Sequence, residues 1–208
     1  MKRLYIFLAV TLFSVQLFAQ APSKKQDAKV IIKNATVHIG NGKVLENATV
    51  VFDKGVITEV TTSSVNETSA KVIDAKGKHV YPGLIVADSR LGLEEVEAVR
   101  STLDYAEVGE INPNIRSVIA YNTDSKIIPT VRSNGVLLAL SVPEGGVMPG
   151  TSSVMKLDGW NWEDAAYKMD AVTQLNWPSM SIRKAWWAPP AEEQRKQSAE
   201  NMAMIKKF

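Results

Sequence analysis

The residues best equipped for chemistry follow a short apolar run. Leu84-Ile85-Val86-Ala87 leads into Asp88-Ser89-Arg90. Residues two apart on a strand project from one face, so Asp88 and Arg90 are expected side by side at the strand's carboxyl end. A carboxylate oxygen can ligate a hard cation. A guanidinium stays protonated, offers no lone pair and repels a metal. The pair is therefore expected to neutralise itself rather than hold an ion.

A second candidate is Gly145-Gly146-Val147-Met148-Pro149-Gly150-Thr151, which follows another apolar run at 136–142. Backbone amides in such a loop can cradle an anion. The loop lacks the Gly-Lys-Ser/Thr ending of a phosphate-binding loop and is not a dinucleotide fingerprint. Gly145, Gly146, Gly150 and Thr151 are candidates for a substrate-facing loop, with plain turn chemistry as the simpler role. His38 and His79 are the chain's two histidines. Two imidazoles make a poor metal site by themselves, so structural or surface roles are expected. No Gly-x-Ser-x-Gly nucleophile turn occurs. Trp160, Trp162, Trp177, Trp186 and Trp187 crowd one segment. Indole platforms bind sugars or form interfaces; packing on another part of the fold or on a neighbouring subunit is the plainer expectation.

The elements that position these groups sit in a chain of 208 residues, 45% hydrophobic and 22% charged, an ordinary globular composition. The formal charge of +2 is matched by Lys2 and Arg3 at the start. With no basic stripe interleaved with aromatics, nucleic acid is not an expected partner. Lys2-Arg3, the apolar run from Leu4 and the small residues Ala19 and Ala21 read as a secretory signal over 1–21, cut at Ala19 or Ala21. A periplasmic or secreted location follows, with no membrane attachment after cleavage. The absence of cysteine removes disulfides, thiolate metal sites and a cysteine nucleophile.

After a polar linker at 22–28, residues 29–82 read as five or six short strands punctuated by turns, a small β-sandwich or open barrel. Gly40-Asn41-Gly42-Lys43 is a hairpin signal and Asp53-Lys54-Gly55 a second turn. Beyond Gly83 the pattern changes. The run 84–87 predicts a strand buried on both faces. Spacing predicts helices over 94–105, 125–132 and 162–169, and another opened by Pro189-Pro190. The run 136–142 predicts a second fully apolar strand, followed by a short one at 153–157. Strand, helix, strand is the start of a parallel array. The fold class expected is α/β with a small all-β domain, the second part (83–208) being the opening of a TIM-type barrel. The last helix reaches Phe208 without a stop signal, and the stretch after Pro82 is shorter than the roughly 250 residues of a typical complete barrel. The chain is accordingly expected to be the N-terminal part of a longer protein.

Three segments resemble the amidohydrolase superfamily, especially its imidazolonepropionase-like members: Ile32-x-Asn34-Ala35-Thr36-Val37-His38-x-Gly40-x-Gly42 with Val44 to Val60; Val72-Ile73-Asp74-Ala75-Lys76-Gly77-Lys78 running into Tyr81-Pro82-Gly83-Leu84-Ile85; and Gly135-Val136 with its strand, then Gly145-Gly146-x-x-x-Gly150-Thr151 and Val154-x-Lys156-Leu157-x-Gly159. In that family the segment after Pro-Gly carries a His-x-His pair that ligates a catalytic metal. Asp88 and Arg90 stand at those positions here. The resemblance implies metal-dependent hydrolysis of C–N (non-peptide) bonds, the metal lowering the pKa of a bound water. It implies no catalytic residue and no cofactor in this chain, a divalent metal such as zinc belonging to a full-length relative. By itself the chain is expected to be inactive, and to associate with another copy or with a missing C-terminal half. Small-molecule substrates or glycans are the expected ligands. The alternative is a non-catalytic envelope protein that binds a ligand or partner through the Trp-rich segment and the glycine loop.

Overall fold

A computed structural model describes residues 23, 24 and 26–208. The signal and cleavage positions, Ala19 and Ala21 included, lie outside the described residues. Two mixed sheets dominate.

The first sheet contains β1 (Val30–His38), β2 (Val44–Asp53), β3 (Val56–Thr61), β4 (Lys71–Asp74) and β5 (His79–Val80). Its order is β3-β2-β1-β4, with β5 also pairing β1. The β1–β2 and β2–β3 pairs are antiparallel, whereas β4 and β5 run parallel to β1. The two expected turns close the antiparallel hairpins. At the second, Lys54 and Gly55 adopt φ of 50° and 77°, the left-handed pair that a tight hairpin needs. Ala35, Val37, Ala48, Val50 and Ala75 form the core of this half. Register shifts flank Ala35 in β1, and Asn34 beside it sits at φ 61°, a conformation Asn tolerates better than most residues. Among the described residues these strands make one mixed sheet rather than two facing ones.

The second sheet has the order β6-β7-β8-β9, from β6 (Leu84–Ser89), β7 (Val136–Ser141), β8 (Thr151–Lys156) and β9 (Ala166–Thr173). Only β6 and β7 are parallel; β8 and β9 follow antiparallel. Among the described residues the expected parallel array therefore stops after one crossover, and no closed barrel forms. Among the described residues four α-helices accompany the sheets: α1 (Ser117–Ala120), α2 (Ile127–Ser133), α3 (Trp162–Ala165) and α4 (Ala191–Lys207). None of the described helices is long and apolar enough to cross a membrane. Leu91, Val118, Tyr121, Ile128, Val136, Ala139, Met155, Leu157 and Ala165 make the second core.

Three local expectations are corrected. Residues 94–105 hold a single 3₁₀ turn at Arg100–Thr102, not a helix. Thr102 Oγ1 donates to Val96 O and Val99 O and accepts from Val96 N, and this side-chain competition with the backbone favours a looped path. The helix expected over 162–169 ends at Ala165. Asn161 caps its start by accepting from Asp164 N at 2.8 Å, and the chain then joins β8 as β9. Finally, β6 is an edge strand and not buried on both faces: Leu84 and Ile85 are 59% and 66% exposed. Helix α2, in contrast, starts at Ile127, close to the start of the span expected over 125–132. Ser125 Oγ accepts from Ile127 N at 3.3 Å, and Pro129 sits in the first turn, where its missing N–H costs nothing.

Candidate functional site

The carboxyl ends of the parallel pair β6 and β7 open into a cavity of about 480 Å³. Asp88, Leu140, Val142, Glu144, Gly145, Gln174 and Asn176 line it. Such strand ends are where α/β proteins place their ligands. Asp88 is exposed there and, among the described residues, forms no ion pair.

Arg90 does not share that setting. Between Val86 and Ser89 the register against β7 slips, and after Ser89 the chain turns. Leu91 N donates to Ser89 Oγ, Leu93 N donates to Arg90 O, and Gly92 takes φ 78°. This turn carries Arg90 to a different cavity, alongside Glu94, Glu95 and Glu97. The expected Asp88–Arg90 pair is thus replaced. Arg90 Nε and Nη2 donate to the two oxygens of Glu144, the latter at 2.6 Å, and Nη1 donates to Glu94 Oε2 at 2.9 Å. Its guanidinium carbon also lies 4.4 Å from the Tyr105 ring centroid, a cation–π distance. Hydrogen bonds to Glu144, then to Glu94, hold the guanidinium further above its ordinary, already alkaline pKa.

These residues do not fit the imidazole metal centre that the resemblance implies. One ligand position carries a lone carboxylate; the other carries a permanently charged cation locked by two acids and turned into another cavity.

The glycine loop serves packing. Glu144 N, Val147 N, Met148 N and Thr151 N donate to Tyr105 O, Glu110 O, Glu110 O and Ile115 O at 2.7–2.8 Å, which commits four amides that an anion would need. A Cβ on Gly146 would stand 2.7 Å from Gly109 O, and one on Gly150 would stand 2.7 Å from Ile115 O. The glycines thus admit the 105–116 segment at backbone contact distance. Thr151 is buried and donates to Pro113 O at 3.2 Å. Gly145 alone of the four loop candidates lines the Asp88 cavity.

Gln174 and Asn176 escaped the sequence reading. They follow β9, which the helical spacing of 162–169 had hidden. Asn176 Nδ2 donates to Gly146 O at 2.9 Å, and Gln174 Nε2 to Ser152 Oγ at 2.6 Å, so both close the cavity wall. Of the tryptophans, Trp162 packs against the second core. Trp160, Trp177 and Trp187 are 56–61% exposed and Trp186 is 97% exposed. His38 and His79, 41 residues apart, come together: Nε2 of the first lies 3.0 Å from Nδ1 of the second.

No protein-family model and no curated protein matches the chain. Among solved structures, an amidohydrolase from Thermotoga maritima MSB8 superposes with a TM-score of 0.66 at 24% identity, over 70% of this chain and 38% of that one. A prolidase complexed with N-methylphosphonate-L-proline matches over 53% of this chain and 25% of its own, at 24% identity and a TM-score of 0.38, too low to carry weight. The chain spans well under half the length of that amidohydrolase, and over the matched part it has an amidohydrolase-type fold.

Proposed function

We propose that this chain is the opening part of an exported protein of the amidohydrolase superfamily, of the imidazolonepropionase-like branch, in which the first metal position has been lost. In this reading residues 29–82 are a small composite β domain and residues 83–208 open a (β/α) barrel. Any hydrolysis of C–N (non-peptide) bonds by the whole protein would rest on ligands from strands other than β6, and this chain alone would not hydrolyse. The observation that carries the reading is the Arg90–Glu144–Glu94 cluster, a permanent cation held where the family carries a histidine. The test is metal content after incubation with zinc, by elemental mass spectrometry, for the chain and for the double variant Asp88→His, Arg90→His. Variants at His38 and His79 serve as background. No zinc dependent on Asp88 in the original chain supports the loss; stoichiometric zinc that Asp88→Ala abolishes would overturn it.

A second reading, a non-catalytic ligand- or partner-binding role, draws on the exposure of Trp186 and Trp187. Retention on immobilised glycans that disappears with Trp186→Ala and Trp187→Ala would favour it. Retention unaffected by both removes it.

A further inference from the structure

The histidine pair lies outside the cavity at the β6–β7 ends, on the open face of the first sheet. His38 ends β1 and His79 begins β5. Parallel pairing sets Thr36 opposite His79 and Val37 opposite Val80, which brings the two rings to the same face. His38 Nε2 and His79 Nδ1 are 3.0 Å apart. Tyr81 stacks on His38 with centroids 4.1 Å apart and an interplanar angle of 11°, covering one side of the ring whose nitrogen faces its neighbour. His79 and Tyr81 are exposed and His38 is partly so, so an ion has open access.

We infer that His38 and His79 form a two-imidazole chelate for a late first-row divalent metal, copper(II) foremost. Imidazole nitrogen suits copper, nickel and zinc, and affinity at a given site peaks at copper. Bonds of about 2 Å from two nitrogens to one ion set those nitrogens roughly 3 Å apart, near the spacing already present. The ion would sit to the side of the nitrogen–nitrogen line, with rotation of the exposed His79 ring and a smaller adjustment of His38, and water would fill its remaining positions. Two ligands leave the site open, so it is a chelate and not a closed structural centre. In the neutral pair one facing nitrogen carries a proton. On binding, that ring's proton moves through solvent to its outer nitrogen, so both facing lone pairs reach the metal and no net proton is released. Bound metal would tie β5 to β1 just ahead of Tyr81-Pro82-Gly83, where the chain leaves the first sheet for the second.

The test is copper(II) titration of the full chain by calorimetry, with electron paramagnetic resonance of the product. The expected result is one equivalent bound, a spectrum with two imidazole nitrogens, and a loss of affinity of about tenfold or more in both His38→Gln and His79→Gln. Equal affinity and unchanged spectra in the variants would overturn the inference. Should either variant fold poorly by circular dichroism, the unaltered chain decides. Substoichiometric copper(II) should broaden the imidazole proton resonances of both histidines; if neither broadens, the site does not exist.

Discussion

Arg90 Nη2 lies 2.6 Å from Glu144 Oε2, a contact across 54 residues that joins the end of β6 to the loop after β7. With Nε on the other carboxylate oxygen, the pair has the bidentate fork that makes arginine–carboxylate contacts directional. Both side chains remain about 40% exposed, so solvent screening limits the pair to about 0.5–1 kcal/mol. A double-mutant cycle with Arg90→Ala and Glu144→Ala in urea unfolding should return a coupling of that size, falling as salt is raised. A coupling of zero would mean the fork is not kept in solution.

The glycine loop separates two costs. Gly146→Ala and Gly150→Ala each drive a Cβ to 2.7 Å from a backbone oxygen at positive φ, combining steric overlap with backbone strain. A loss of about 2–4 kcal/mol is expected. Gly135→Ala also sits at positive φ, 90°, but meets nothing within 4 Å; about 1 kcal/mol is expected from strain alone. Chemical denaturation of the three variants should rank them so. Equal losses would show that packing against 105–116 contributes nothing.

Edge exposure on β6 has a solution consequence. Leu84, Ile85 and Leu137 border an apolar cavity of about 700 Å³ beside a strand edge unpaired among the described residues, a pairing surface for another chain. Ile85→Lys should raise the monomer fraction in light scattering with little change in stability, since Ile85 is already 66% exposed. An unchanged mass distribution would place association elsewhere.

How much of this was legible in the sequence depended on how local its cause is. The hairpins at 40–43 and at Lys54-Gly55 were legible because a tight turn needs positive φ, taken here by Gly40 and Gly42 in the first and by Lys54 and Gly55 in the second. The strand after Pro82-Gly83 was legible as an apolar run, though its burial was not, since exposure depends on what covers the sheet. The helix spacing of Val96, Val99 and Leu103 misled because Thr102 supplies competing hydrogen bonds within six residues. Arg90's partner, Glu144, and the meeting of His38 with His79 arise from strand pairing between distant segments, which no local pattern encodes. Gln174 and Asn176 were hidden with β9 for the same reason, β9 being held by its register with β8.

Tyr121 offers a stability test with a defined pH sign. Its ring is 5% exposed and packs over Gly92, where an added Cβ would fall 2.5 Å from the ring. Among the described residues its hydroxyl has no hydrogen-bond partner. Burial, with a smaller contribution from Glu95, raises the phenol's pKa above its ordinary 10.0. The neutral phenol is therefore favoured in the folded state. Its contribution to stability is complete below pH about 10, where the unfolded chain also keeps the proton, and is lost as pH climbs from there through the higher folded pKa. Tyr121→Phe removes both the titration and the unpaired polar atom while keeping the ring. Stability at neutral pH should stay level or rise by about 1 kcal/mol, and the alkaline decline above pH 10 should become shallower than in the original chain. Urea unfolding at pH 7 and pH 10.5 measures both. A loss of more than about 1 kcal/mol at pH 7 would instead reveal an ordered water bonded to the hydroxyl, whose removal strands its other partners.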